Sequence, residues 1–141
     1  MYADYSYYAT EFFGNAVPSD DFPRLASRAS DYIDYYTRDK AAKATDPSVL
    51  TALSKCCCAL AERIYTDELQ RAVQQQALAG GVYASAVKSE TVGNYSISYT
   101  TAADYVGGSG SANPEQNAKN AYAAVAMQYL RNTGLLYRGC P

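Results

Sequence analysis

Three consecutive cysteines, Cys56, Cys57 and Cys58, are the most chemically distinctive feature of this 141-residue chain, and a fourth, Cys140, stands one residue from its end. Thiols bind metals, form disulfides or act as nucleophiles, and each use has its own spacing requirement. Neighbours on a helix point about 100° apart, so three adjacent thiols do not converge on one tetrahedral ion. A disulfide framework needs partners spread along the chain. A cysteine nucleophile needs an activating base, and the chain has no histidine. What remains is three small, reduced thiols packed in a core. The sharper alternative is a thiol sensor, whose redox response would vanish when all three are replaced by alanine.

Carboxylates come in pairs at Asp20-Asp21, Asp31 and Asp34, and Asp67-Glu68. The first pair reads as a helix cap and the second as a helix surface, and none has a companion base or metal-ligand spacing. The glycine-rich Gly107-Gly108-Ser109-Gly110-Ser111 lacks the lysine of a phosphate-binding loop and reads as a linker. The expectation is a protein without catalytic, cofactor or metal site. With no Trp and a net charge of −2, nothing suggests a nucleic-acid groove reader.

The elements that hold these residues follow from periodicity. Residues 1–18 read as an irregular N-terminal arm, rich in Tyr5, Tyr7, Tyr8, Phe12 and Phe13. Residues 19–79 form the helical part. Ser19, Asp20 and Asp21 offer caps and Pro23 suits a first turn. Phe22, Leu25, Ala26, Ala29, Tyr32, Ile33 and Tyr36 then recur at helical spacing, with Asp34 placed to pair with Arg38. A second helix opens at Asp46-Pro47, with Leu50, Leu53, Cys57, Leu60, Ala61 and Ile64 as its stripe. The stripe loses phase near Thr66-Asp67-Glu68, which predicts a kink or a restart. Alternation over 82–101, with Gly93-Asn94 at its centre, predicts a β-hairpin with Tyr95, Ile97 and Tyr99 on one face. The last helix spans 113–134, with Ala118, Ala121, Tyr122, Val125 and Tyr129 on one side and Ala123, Met127 and Leu130 opposite. Residues 135–141 form a tail whose Leu135, Leu136 and Tyr137 either dock on a partner chain or fold back. The fold class is therefore mainly α: one domain, a small bundle of three to four helices with one β-hairpin and extended N- and C-terminal arms.

Composition sharpens the expectation of an assembly. The 48% hydrophobic content is carried by 24 Ala and 15 Tyr; Val, Leu and Ile number 20 and Phe 3, so strong hydrophobes are only 16% of the chain. A core that lean recovers burial from neighbouring subunits. Residues 1–68 carry 7 basic and 11 acidic side chains and residues 69–141 carry 5 and 3, nets of −4 and +2. That asymmetry suits a heterologous subunit contact. Met1–Phe13 has neither the basic nor the apolar region of a signal peptide, and no apolar run reaches membrane-spanning length, so the expected place of synthesis is the cytoplasm, with no membrane partner.

Four stretches together resemble the head–tail connector, or head-completion adaptor, family of tailed bacteriophages. They are the aromatic opening Tyr7-Tyr8 to Phe12-Phe13-Gly14, the helix from Phe22 to Ser30, the hairpin from Ser89 to Tyr99, and the ending Thr133-Gly134-Leu135-Leu136-Tyr137-Arg138-Gly139. The resemblance implies a structural virion protein and not an enzyme. Its subunits would form a dodecameric ring beneath the portal protein, extend the DNA channel and present a docking surface to a stopper or tail-completion protein. Double-stranded DNA would pass without specific binding. The location implied is the head–tail interface of the virion, after assembly in the host cytoplasm, whether the source is an infective phage or a prophage.

By position, the resemblance makes Leu135, Leu136, Tyr137 and Arg138 a portal- or neighbour-contacting arm. It makes Glu90, Val92, Tyr95, Ile97 and Tyr99 of the hairpin an inter-subunit or tail-facing element, and Tyr7, Tyr8 and Phe12 of the arm interface residues. The alternative is a cellular helical binding module whose Tyr-rich arm captures a peptide or small ligand.

Overall fold

The computed structural model describes residues 1–79, 89–92, 95–98 and 114–139. These are mainly helical: α1 (Tyr5–Thr10), α2 (Phe22–Thr37), α3 (Pro47–Ala79) and α4 (Pro114–Leu130), with short 3₁₀ turns at Ala41–Lys43 and Arg131–Thr133. The chain divides into two compact units, the first Met1–Thr66 with Lys119–Pro141 and the second Asp67–Ala118. In the second unit, strands β1 (Ser89–Val92) and β2 (Tyr95–Ser98) pair antiparallel, with Glu90 opposite Ile97 and Val92 opposite Tyr95. These eight residues are the described part of the segment 82–101, expected to form a hairpin. Its Gly93-Asn94 turn, its outer stretches and Tyr99 lie outside the described residues.

The N-terminal segment is not an irregular arm. Asp4 accepts a hydrogen bond from the Tyr7 N–H at 2.8 Å and so caps α1. Tyr8 on that helix is fully buried. Its ring stacks on Phe22 with centroids 4.7 Å apart and on Phe12 at 5.9 Å. Burying an aromatic ring demands that its hydroxyl find partners. The Tyr8 hydroxyl donates to Glu62 Oε1 of α3 at 2.7 Å and accepts from the backbone N–H groups of Ala16 and Val17 at 3.0 and 3.2 Å. One side chain therefore joins α1, the loop before α2, and α3.

Tyr2 makes a second junction. Its N–H donates to Ser30 Oγ at 3.2 Å, its hydroxyl donates to the Asp34 carboxylate, and its carbonyl accepts from Ser54 Oγ at 2.8 Å. That use of Asp34 replaces the expected Asp34–Arg38 pair. Arg38 lies beyond the helix at φ 53, in the left-handed region, where its N–H closes the last turn on the Asp34 and Tyr35 carbonyls. The start of α2 also differs from expectation. Asp21 occupies the cap position but makes no capping hydrogen bond with its side chain, which instead meets Arg24 at 3.5 Å. At α3 the expected cap is present, with Asp46 accepting from the Ser48 N–H at 2.9 Å.

Leu25, Ala26, Ala29 and Ile33 of α2 are buried, as are Leu53, Leu60, Ala61 and Ile64 of α3. Leu50, expected on the same stripe, is largely exposed at the first turn of α3. Helix α3 neither breaks nor restarts at Thr66–Glu68 but runs without interruption to Ala79. What changes there is its surroundings, because the boundary between the two units falls between Thr66 and Asp67. The loss of stripe phase falls at this boundary and not at a break in the helix.

Helix α4 is not apolar all round in its burial. Tyr122, Ala126 and Leu130, four residues apart, form the buried line, whereas Met127 is 62% exposed. Leu130 thus shares a face with Tyr122 and is not opposite it. Helix α2 meets this helix through Tyr32, whose ring lies 4.9 Å from Tyr122, and Tyr36, whose hydroxyl donates to the Lys119 carbonyl at 3.0 Å.

Two backbone positions can be checked by substitution. A Cβ on Gly14 would lie 2.0 Å from the Tyr8 ring, which is held on all sides. Gly14→Ala should therefore cost about 1–3 kcal/mol in urea unfolding. Arg38→Gly should act in the opposite sense, raising stability by about 1 kcal/mol, because only glycine adopts that φ without a Cβ penalty.

Candidate functional site

The three cysteines occupy the centre of the first unit. All three are fully buried and none is in a disulfide. Three consecutive helix positions sweep about 200° of azimuth. Their burial therefore requires neighbours on most sides of α3. Cys57 faces α2, with its Sγ 3.7 Å from Ser30 Oγ and 3.5 Å from the Ala26 carbonyl. Cys58 lies toward the N-terminal segment, near enough that Asp4 and Tyr7 interact with it electrostatically. Cys56 and Cys58 both lie near enough to Tyr129 of α4 to act on it electrostatically. Burial, reinforced by the neighbouring thiols, pushes Cys56 and Cys58 up to about 12. Burial raises Cys57 as well, against the pull of Ser30 and the Tyr2 and Ala3 N–H groups. These thiols are packed as small core side chains. Among the described residues no group of three or more Cys, Asp or Glu is arranged to hold a metal ion.

The residues expected to form interfaces separate into two classes. In the N-terminal segment Tyr8 is core, and so is corrected from an outward contact to an internal junction. Its hydroxyl is pushed up to about 12 by burial and by the Glu62 carboxylate, against the lowering effect of the Val17 and Ala16 N–H groups. Tyr7 and Phe12 are half-buried against the same chain. The ring that faces outward is Phe13, which sequence periodicity did not single out from its neighbours. It is 82% exposed and sits at φ 58, between a Phe12 stacked on Tyr8 and a Gly14 pressed on the Tyr8 ring. The adjacent Phe12-Phe13-Gly14 triplet was the available signal, since glycine after two rings marks a turn that must send them in different directions.

The C-terminal residues fold back onto the first unit. Gly134 ends the 3₁₀ turn at φ 73, and its carbonyl accepts from the Tyr137 N–H at 3.1 Å. Lys40, just past α2, donates from Nζ to the Tyr137 carbonyl at 2.6 Å. Leu135 and Leu136 become half-buried, while Tyr137 and Arg138 are exposed. The tail is thus a turn held by a lysine and not an extended arm. For the hairpin, the backbone register stated above locates Glu90, Val92, Tyr95 and Ile97, and Tyr99 lies outside the described residues.

No helix among the described residues is long and apolar enough to cross a membrane. No family profile, curated protein or solved structure matches the chain.

The buried thiols predict an alkaline signature. Their protons are held more tightly in the folded than in the unfolded chain, so their contribution to stability is complete below about pH 8.5 and is lost as pH rises through the folded values. Urea unfolding between pH 8 and 11 should show stability falling with pH, and the slope should flatten in Cys56→Ala/Cys58→Ala. In a Cys140→Ala background, an aromatic disulfide reagent at pH 8 should label the three thiols only as fast as the chain unfolds. Rapid labelling of the native protein would instead support the sensor reading.

Proposed function

We propose that this protein is a structural adaptor of the head–tail connector type. Its subunits assemble as a dodecameric ring beneath the portal protein, connect the DNA-filled head to the tail through a stopper or tail-completion protein, and extend the DNA channel. The observation that carries the reading is the mismatch between a small, closed core and large apolar side chains left outside it. Phe13, Tyr35, Met127 and Tyr137 of the first unit are all more than half exposed. Val73 on the α3 segment of the second unit is too. Exposed rings mark an interaction surface where they gather into a patch. The resemblance of the aromatic opening, the first long helix, the hairpin and the ending adds the identity of those partners.

In this reading Leu135 and Leu136 anchor the tail so that Tyr137 and Arg138 point outward toward the portal or a neighbouring subunit. The hairpin residues Glu90, Val92, Tyr95 and Ile97 serve an inter-subunit or tail-facing contact. Each subunit supplies a modest interface, and repetition around the ring supplies avidity. Net acidity lets double-stranded DNA pass without being gripped. The binding-module alternative loses its main support, because Tyr8 and Phe12 are stacked within the chain and not free to enclose a ligand.

The test is capture of the purified chain by the portal protein encoded in the same genome. Full-length protein should bind portal rings and appear as an added ring by electron microscopy. Removal of residues 135–141 should reduce binding at least about tenfold while leaving the helical circular-dichroism spectrum intact. Failure of the full-length chain to bind portal would overturn the reading.

A further inference from the structure

The two ends of α2 differ in charge, and each carries an exposed aromatic side chain on a fixed backbone. At the N-terminal end, the stacking of Tyr8 on Phe22 brings the end of α1 and its following turn alongside. Glu11 closes α1, and Asp20 and Asp21 stand just before α2, with Asp21 engaged by Arg24. Phe13 projects from the same turn. Its left-handed backbone is held by a hydrogen bond on either side, Phe12 N–H to the Tyr7 carbonyl at 3.0 Å and Gly14 N–H to the Tyr8 carbonyl at 2.9 Å. A bulky residue at positive φ is strained, and here the strain aims a ring at solvent.

The C-terminal end is basic. Arg38, Lys40 and Lys43 follow the helix, and the Lys40 bond to Tyr137 brings Arg138 alongside, with Asp34 and Asp39 as the carboxylates at this end. The helix dipole does not account for this cluster. Helix α2 has no basic residue in its last turn, and Arg138 arrives from a distant part of the chain. Tyr35 and Tyr137 are the exposed rings at this end, 77% and 64% accessible.

Sixteen helical residues separate the two ends by about 24 Å. The acidic end with Phe13 therefore cannot meet the basic end of its own chain, but it can meet that of another copy. We propose that these two ends are the two halves of a contact between copies of this chain. The Phe13 ring of one copy packs against Tyr35 and Tyr137 of the next, with Glu11 and Asp20 facing Arg38 and Lys43. The two surfaces differ, so the contact is heterologous and repeats from copy to copy until it closes into a ring. Opposite charge speeds encounter and sets the register, while the rings supply the buried apolar area. The proposal deepens the adaptor reading by assigning its subunit–subunit contact. It also relocates the charge asymmetry, from the two halves of the sequence to the two ends of one helix.

The experiment is sedimentation analysis of the full chain up to about 1 mM protein, at low and high salt. Wild-type chain should self-associate, more weakly at high salt. Phe13→Ala, the acidic-end reversal Glu11→Lys/Asp20→Lys and the basic-end reversal Arg38→Glu/Lys43→Glu should each weaken association about tenfold. An equimolar mixture of the two reversed chains should associate again, with the two alternating, because each mixed contact pairs either two reversed ends or two native ends and both pairings join opposite charges. Both reversals placed in one chain should restore association, since every contact then regains opposite charges. Circular dichroism checks that each variant is folded. A wild-type chain that stays monomeric, or folded reversals that leave association unchanged, or a doubly reversed chain that does not recover would each overturn the proposal. Portal capture is scored separately. Charge-dependent self-association without portal binding removes the adaptor reading and leaves the contact, and portal binding with charge-independent association does the reverse.

Discussion

Everything in the first unit depends on enclosing the middle of α3. Cys56, Cys57 and Cys58 sweep most of the helix circumference and all are buried, so that stretch of α3 must be covered on most sides, by α2 among others. Small side chains make this possible. Cysteine fills little more volume than alanine or serine, and the covering elements approach closely enough for the Cys57 sulfur to lie 3.5 Å from the Ala26 carbonyl. Larger residues at all three positions would hold the covering elements apart, and a lean core has no other large residues to fill the gap.

Tyrosine supplies the area that aliphatic residues do not. Its ring packs as a hydrophobe and its hydroxyl ties elements together, so each buried tyrosine both fills and fastens. Tyr8 fastens α1 to α3 and to the loop before α2, Tyr2 fastens the N-terminus to α2 and α3, and Tyr36 fastens α2 to α4. Among the described residues, a unit with few leucines closes its core in this way. The residues left over for contact with others are those the core could not use, above all Phe13, Tyr35 and Tyr137.

The long helices were legible because their signals are local. Asp46-Pro47 opens α3, and Phe22 to Tyr36 repeats every three or four residues, so the existence of both helices follows from local signals. The faces of α4 were not. Alanine on every side leaves periodicity little contrast, and Leu130 joined Tyr122 only because α2 approached from that direction. The helical nature of Tyr5–Thr10 was hidden for a different reason. Six residues do not sustain a helix by propensity, and this one exists because Tyr8 is buried. The correction of Tyr8 to core and the outward place of Phe13 have the same origin: clustered aromatic residues look alike in sequence, and only the core's limited room distinguishes inside from outside.

By itself the sequence determined that the chain is mainly helical, where its two long helices begin, and that its adjacent thiols suit neither a metal site nor a disulfide framework. These follow from periodicity, capping and stereochemistry, which act over a few residues. Tertiary structure alone decided which rings are core and which are surface. It turned the C-terminal tail back onto Lys40 and carried α3 unbroken past Thr66. Each of those outcomes depends on residues far apart in sequence competing for the same limited space around α3, and no local pattern records that competition.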